Sequence, residues 1–150
     1  MRIVGDGPLL DAVDDSPTAG IIGLGRKPPD EVAAEMKSAC FLIFPSELYE
    51  GFPMTLVESF SHGLPVIASR LGAMAEIVED GVTGLHFTPG DPEDLAAKVR
   101  WAAGHPEEMR RMGLAARRVY ERKYTPEVNY RRLMTIYEEA IAENRQGAHL

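Results

Sequence analysis

Pro45-Ser46-Glu47-Leu48-Tyr49-Glu50-Gly51-Phe52-Pro53-Met54-Thr55-Leu56-Val57-Glu58 decides how this chain folds, because it joins a buried strand to a helix. The apolar run Phe41-Leu42-Ile43-Phe44 precedes it, and a helical pattern continues through Phe60 to a stop at Gly63. Gly51 frees the backbone for a tight turn, and Pro53 suits the first turn of a helix. In a parallel sheet this loop lies at the carboxyl edge, where open α/β sheets bind ligands. The amides of Met54, Thr55 and Leu56 then lack intrahelical acceptors and face outward at the positive end of the helix dipole. Such an end suits a phosphate or pyrophosphate.

Working outward, short apolar runs alternate with longer amphipathic stretches. Arg2–Gly5, Ile21–Leu24, Leu64–Ala68 and Gly84–Phe87 read as further strands. Their apolarity is continuous rather than alternating, which suits strands covered on both faces. Helices are predicted from Pro29 through Ser38, from Asp91-Pro92 to Ala103 with Gly104 as the stop, and after Thr125-Pro126. The expected fold is therefore α/β: a Rossmann-like open parallel sheet with helices on both faces and a helical C-terminal tail. Asn144–Leu150 is expected to fray into a disordered tail, leaving residues 1–143 as one lobe.

At 150 residues the chain can bury a real core, but it is too short for two full lobes that close on each other. No apolar run is long enough to span a membrane. The lone Cys40 excludes an internal disulfide framework and is expected to be a buried structural thiol. A reducing, cytoplasmic setting follows. Residues 1–97 carry five basic against sixteen acidic side chains, whereas residues 98–150 carry eleven basic against seven. Arg110-Arg111, Arg117-Arg118, Arg122-Lys123 and Arg131-Arg132 fall on predicted helices. They read first as a solvated face with Glu partners and second as a contact with an anionic membrane surface. Nucleic acid is not expected, because no aromatic residues interleave with the basic ones.

Glu50 and Glu58 flank the anion-binding helix start. Each could accept paired hydroxyl protons from a vicinal diol on either side of a bound diphosphate, one a ribose and one a sugar. On spacing alone they read first as a loop carboxylate and a solvated helix residue, since two Glu eight positions apart are common. His62, His86, Trp101, Met109 and Met112 read as structural.

The segment Glu50 to Glu58, E-G-F-P-M-T-L-V-E, resembles the E-x7-E motif of the family 4 retaining glycosyltransferases. Ile3-Val4-Gly5-Asp6-Gly7-Pro8 is similar to that family's first strand and turn in this region. His62-Gly63-Leu64-Pro65-Val66-Ile67-Ala68 resembles its G-x-P-V-V-A strand, and Glu76-Ile77-Val78 through Asp80-Gly81-Val82-Thr83-Gly84-Leu85 its E-I-V-x-D-G-x-T-G-L turn. The blocks keep the family's order over residues 2–95.

The resemblance implies the nucleotide-sugar-binding C-terminal lobe of a two-lobed GT-B enzyme. It moves a hexosyl group from a UDP-, GDP- or ADP-linked donor to a glycan, lipid or small-molecule acceptor. It further implies that Glu50 faces the donor sugar as the catalytic carboxylate and that Glu58 holds the ribose. The amides of Gly51, Phe52, Pro53 (which has no N–H of its own), Met54, Thr55 and Leu56 mark the sugar and diphosphate site, and Gly25 and Arg26 line the base pocket. No metal and no cofactor are implied. The family's lobe starts with an earlier strand and a diphosphate-binding Arg and Lys, none of which is present, so the lobe is expected to be incomplete at its N-terminus. The segment Leu9–Ala19 is shorter than the family's helix and connection, Asp14-Asp15-Ser16-Pro17 reads more as a turn than a crossover helix, and Gly72-Ala73 replaces a common Gly-Gly. The isolated chain is then expected to bind nucleotide and transfer nothing, awaiting an acceptor-binding lobe that the apolar stripe of the last helix could meet. Packing of that stripe on its own sheet is the alternative. A localisation in the cytoplasm, peripheral to the inner membrane face, is compatible. A non-catalytic nucleotide-sugar-binding or pairing module of the same fold is the second reading, and a response-regulator-like domain a distant third.

Overall fold

The computed structural model describes residues 1–8, 12–13 and 20–147. The Leu9–Ala19 connection lies, apart from residues 12–13, outside the described residues. The chain divides into two compact units, Met1–Ala39 and Cys40–Leu150.

In the first unit β1 (Arg2–Ile3) and β2 (Ile22–Gly23) run parallel, with Arg2 opposite Ile22 and Ile3 opposite Gly23. Both are shorter than the apolar runs that predict them. The backbone pairing nevertheless continues past the strands: Leu24 N–H donates to the Ile3 carbonyl at 2.8 Å, and Gly5 N–H to the Gly25 carbonyl at 2.9 Å. Gly25 has φ +63°, a left-handed turn that glycine enters freely. Helix α1 spans Pro29–Ser38, with proline first and Asp30 and Glu31 at the positive end of its dipole. Met36 is the buried side chain of this unit among the described residues, and Ile22 stays 54% exposed.

The second unit holds β3 (Leu42–Phe44), β4 (Val66–Ser69) and β5 (Gly84–Phe87) in a parallel sheet of order β3-β4-β5. Ile43 lies opposite Ile67, and Ile67 opposite Leu85. Helix α2 (Met54–Ser61) connects β3 to β4, and α3 (Gly72–Ile77) connects β4 to β5. Helices α4 (Pro92–Gly104), α5 (Pro106–Lys123) and α6 (Pro126–Gly147) follow. Val66 and Ala68 pack with Leu56, Phe60, Met74, Ile77, Val78 and Ala116, whereas Ile67, Leu85 and Phe87 pack with Ala102, Met109 and Met112. Alternate residues of one strand thus enter separate cores, because successive side chains point to opposite faces. This explains the continuous apolarity: both faces of the sheet are covered by helices.

The cap of α4 forms as its sequence predicts. The Asp91 carboxylate accepts from the Glu93 and Asp94 amides, both at 3.0 Å, with Pro92 at the first position. Helix α3 has six residues, too few to show a period in sequence. The start of α5 carried a signal in Pro106, directly after the His105 that closes α4.

One expectation fails, and one of two alternatives is closed. Cys40 is exposed rather than buried, since it precedes β3 instead of joining it. The apolar stripe of α6 does not pack on the sheet: Tyr130, Leu133, Met134, Tyr137 and Ile141 are all exposed. Trp101 is 38% exposed and stacks on the His105 ring, centroids 4.3 Å apart, so it packs locally and not in a core. Helix α6 extends to Gly147, and residues 148–150 lie outside the described residues.

Candidate functional site

The loop from Pro45 to Pro53 leaves the carboxyl end of β3 and delivers the chain to α2. Pro53 serves as the N-cap, one residue earlier than a first-turn position, and α2 begins at Met54. No side chain caps this end and no acidic residue stands in its first turn. The Leu56 amide donates to the Pro53 carbonyl at 3.0 Å. The free donors of this end are therefore the amides of Met54 and Thr55, which have no acceptor among the described residues. An uncapped, dipole-positive helix start is open to an anion.

Glu50 precedes this end in a half-buried position, held by a chain of local bonds. Ser46 Oγ donates to Glu50 Oε1 at 3.0 Å and accepts from the Leu48 amide at 3.3 Å. The loop is also braced against the next carboxyl-edge loop. Gly72, at φ +47°, lies under the Tyr49 ring so closely that a β-carbon there would stand 3.0 Å from Tyr49 Cδ1. Glu58 is exposed on α2, one turn beyond Met54. Met54, Val57, Glu58 and Ser61 form one wall of a groove of about 590 Å³. Tyr120, Lys123 and Tyr124 at the end of α5, with Pro126 and Asn129 at the start of α6, form the other wall, and Phe52 also lines it. The Phe52 and Tyr124 rings meet edge to face, centroids 6.1 Å apart.

The second unit thus brings together Glu50, Gly51, Phe52, Pro53, Met54, Thr55, Leu56 and Glu58 around one helix end. Gly25 and Arg26 belong to the first unit, where Gly25 makes the turn after β2 and Arg26 is exposed. Sequence reasoning missed Lys123, Tyr124 and Asn129, which no local pattern links to α2. Among the described residues no group of three or more His, Cys, Asp or Glu side chains could hold a metal, and no helix is long and apolar enough to cross a membrane. The basic residues of α5 are partly neutralised: Arg117 pairs with Glu121 at 2.7 Å and Arg110 with Glu107 at 3.5 Å.

Residues 1–105 match the family described as Glycosyl transferases group 1. An uncharacterized glycosyltransferase of Methanocaldococcus jannaschii is 33% identical over 142 residues, covering 92% of this chain and 40% of the relative. The MMP alpha-(1->4)-mannosyltransferase of Mycolicibacterium hassiacum is 37% identical over 114 residues, covering 75% of this chain and 28% of that enzyme. This chain therefore spans well under half the length of either relative. Among solved structures, sucrose-phosphate synthase from Thermosynechococcus elongatus superposes with a TM-score of 0.84 at 23% identity, over 95% of this chain and 38% of that one. HepE from Anabaena, crystallised with UDP, superposes with a TM-score of 0.79 at 22% identity, over 91% of this chain and 40% of that one. These likenesses establish the GT-B type of fold.

Proposed function

Because the chain belongs to the glycosyl transferases group 1 family, we propose that it is the donor-binding lobe of a retaining glycosyltransferase that moves a hexosyl group from a nucleoside diphosphate sugar. The observation that carries this reading is the uncapped start of α2 with Glu50 before it and Glu58 one turn beyond Met54. The diphosphate binds the Met54 and Thr55 amides, Glu58 accepts from the ribose hydroxyls, and Glu50, held by Ser46, faces the donor sugar. In the transfer, the bond from the anomeric carbon to the diphosphate oxygen breaks. A new bond forms to an acceptor hydroxyl, and its proton ends on the released diphosphate. Helix-end amides stabilise the charge that gathers on that leaving group. Gly25 and Arg26 are assigned to the base on the strength of the family resemblance.

The UDP and UDP-glucose complexes of HepE favour a nucleotide-sugar donor. UDP, GDP and ADP remain the candidate nucleotides, and the acceptor is a glycan, a lipid or a small molecule. An acceptor-binding lobe must complete the site, since transfer needs water excluded and the acceptor oxygen positioned. The exposed stripe of α6 is a natural seat for such a lobe. Contact of the basic α5 face with an anionic membrane belongs to the same reading, and flotation with anionic vesicles tests it.

Calorimetric titration with UDP, GDP and ADP tests the proposal. Glu58→Ala should weaken the best of them by about 1–3 kcal/mol through lost charged hydrogen bonds; an unchanged affinity rejects the ribose role. The 150-residue chain alone should transfer no sugar, and turnover without a partner would refute the need for a second lobe.

A further inference from the structure

We propose that Tyr49 is a positioning residue for Glu50: its ring, seated on Gly72, fixes the loop between β3 and α2 against the end of β4 and so sets where the Glu50 carboxylate stands. The proposal rests on the reading of Glu50 as the carboxylate that faces the donor sugar, and it adds a contact between two loops to that reading. The backbone of the Glu50 loop does not anchor it. Among the described residues no backbone–backbone hydrogen bond reaches residues 45–52. The bonds from Ser46 Oγ to Glu50 and from the Leu48 amide to Ser46 Oγ both lie inside the loop. They fix the carboxylate relative to Ser46 but leave the loop free to turn as one piece against the sheet.

The ties that leave the loop run through side chains. Cδ1, Cε1 and Cγ of Tyr49 stand 3.0, 3.7 and 4.0 Å from the point a β-carbon of Gly72 would occupy. The Glu47 carboxyl carbon stands 3.8 Å from the corresponding point at Gly90, in the turn after β5. The loop that leaves β3 thus passes the end of β4, the middle strand, and reaches the turn beyond it. Of these ties Tyr49 acts on Glu50 most directly, because adjacent Cα atoms are held about 3.8 Å apart across a rigid trans peptide. Burial does not account for the contact: Tyr49 is 82% exposed, so its ring adds little to the core. What the contact requires is the missing β-carbon at Gly72. A methyl group there would push the ring, and Glu50 with it, out of place. A misplacement of about 1 Å can cost a reacting group about a hundredfold.

The test is calorimetric titration of the whole chain with UDP, GDP and ADP and with their glucose- and mannose-linked forms. Tyr49→Ala should weaken the best sugar nucleotide about fivefold and leave the matching free nucleotide unchanged, because Glu50 faces the sugar and not the diphosphate. Gly72→Ala, which keeps Tyr49 but lifts its ring, should do the same. Tyr49→Phe should bind like the wild type, since the contact is made by ring carbons that phenylalanine keeps. Glu50→Ala should also weaken the sugar nucleotide, and adding Tyr49→Ala to it should cost nothing more, the sign that Tyr49 acts through Glu50. Wild-type affinity of Tyr49→Ala for the sugar nucleotide would overturn the proposal. So would an equal loss for the free nucleotide, which marks a general disturbance of the α2 end, or a full further loss in the double variant, which marks an independent role. An unchanged Glu50→Ala rejects the reading of Glu50 on which the proposal stands, and failure of the wild type to bind any of these ligands rejects the donor-binding reading itself.

Discussion

Gly113 of α5 lies so close to Gly63 that a β-carbon added to Gly113 would stand 2.2 Å from the Gly63 carbonyl oxygen. The helix therefore meets the turn between α2 and β4 backbone to backbone. Gly63 itself has φ +67°, which closes α2 and redirects the chain into β4. Gly113→Ala should destabilise the chain by about 1–3 kcal/mol, because neither backbone can yield without moving a core helix. Gly104→Ala, with nothing within 4 Å of the new methyl, should be neutral or stabilising by up to about 1 kcal/mol. The urea midpoint should fall in Gly113→Ala and stay level or rise in Gly104→Ala; an unmoved Gly113→Ala midpoint would mean that α5 shifts freely.

His86 of β5 is 7% exposed, and among the described residues neither ring nitrogen meets a partner at full hydrogen-bond geometry, although the Val78 and Met74 backbones lie near it. Burial pushes its pKa below the ordinary 6.5, with Asp80 pulling upward and Arg70 downward. The folded chain favours the neutral ring, so the unfolded chain takes up a proton first as pH falls. The resulting stability is fully present above 6.5 and is lost as pH drops from there through the lowered folded value. Urea midpoints should decline as pH falls below about 6.5 in the wild type and decline less in His86→Leu. An identical decline in both would assign the pH dependence elsewhere.

Asp91 satisfies two amides at the start of α4, and Asp94 in turn accepts from the Thr88 amide at 2.8 Å and its hydroxyl at 3.0 Å. Hydrogen bonding from Thr88 lowers the pKa of Asp94. Asp91→Ala should cost about 1 kcal/mol, and Asp91→Asn, which keeps the accepting oxygen, far less. Thermal melts of the two variants decide between a capping role and a purely electrostatic one.

Much of this architecture was legible in local sequence. The bounds of α1, the cap of α4 and the β5 strand follow from proline positions, a capping aspartate and short apolar runs, each of which acts over a few residues. The Glu50-to-Glu58 segment was legible for the same reason, since a strand, a loop and a helix start are contiguous in the chain. What was not legible depends on distance along the chain or on position relative to a strand end. Cys40 precedes an apolar run yet is exposed, and the Leu56 amide, expected free, turns back to Pro53.

The amino-acid sequence by itself determined the alternation of strands and helices, the parallel order and the helix end that an anion can occupy, because periodicity, caps and dipoles are properties of short segments. Only the tertiary structure decided which amides of that end are free. It also decided that Ser46 holds Glu50, and that the junction of α5 and α6 supplies the second wall beside Glu58. Tyr124 reaches Phe52 across 72 residues only because the later part of α5, with Ala116, joins Leu56 and Phe60 of α2 in one core, a relation accompanied by the close approach of Gly113 to Gly63 and not by any local pattern.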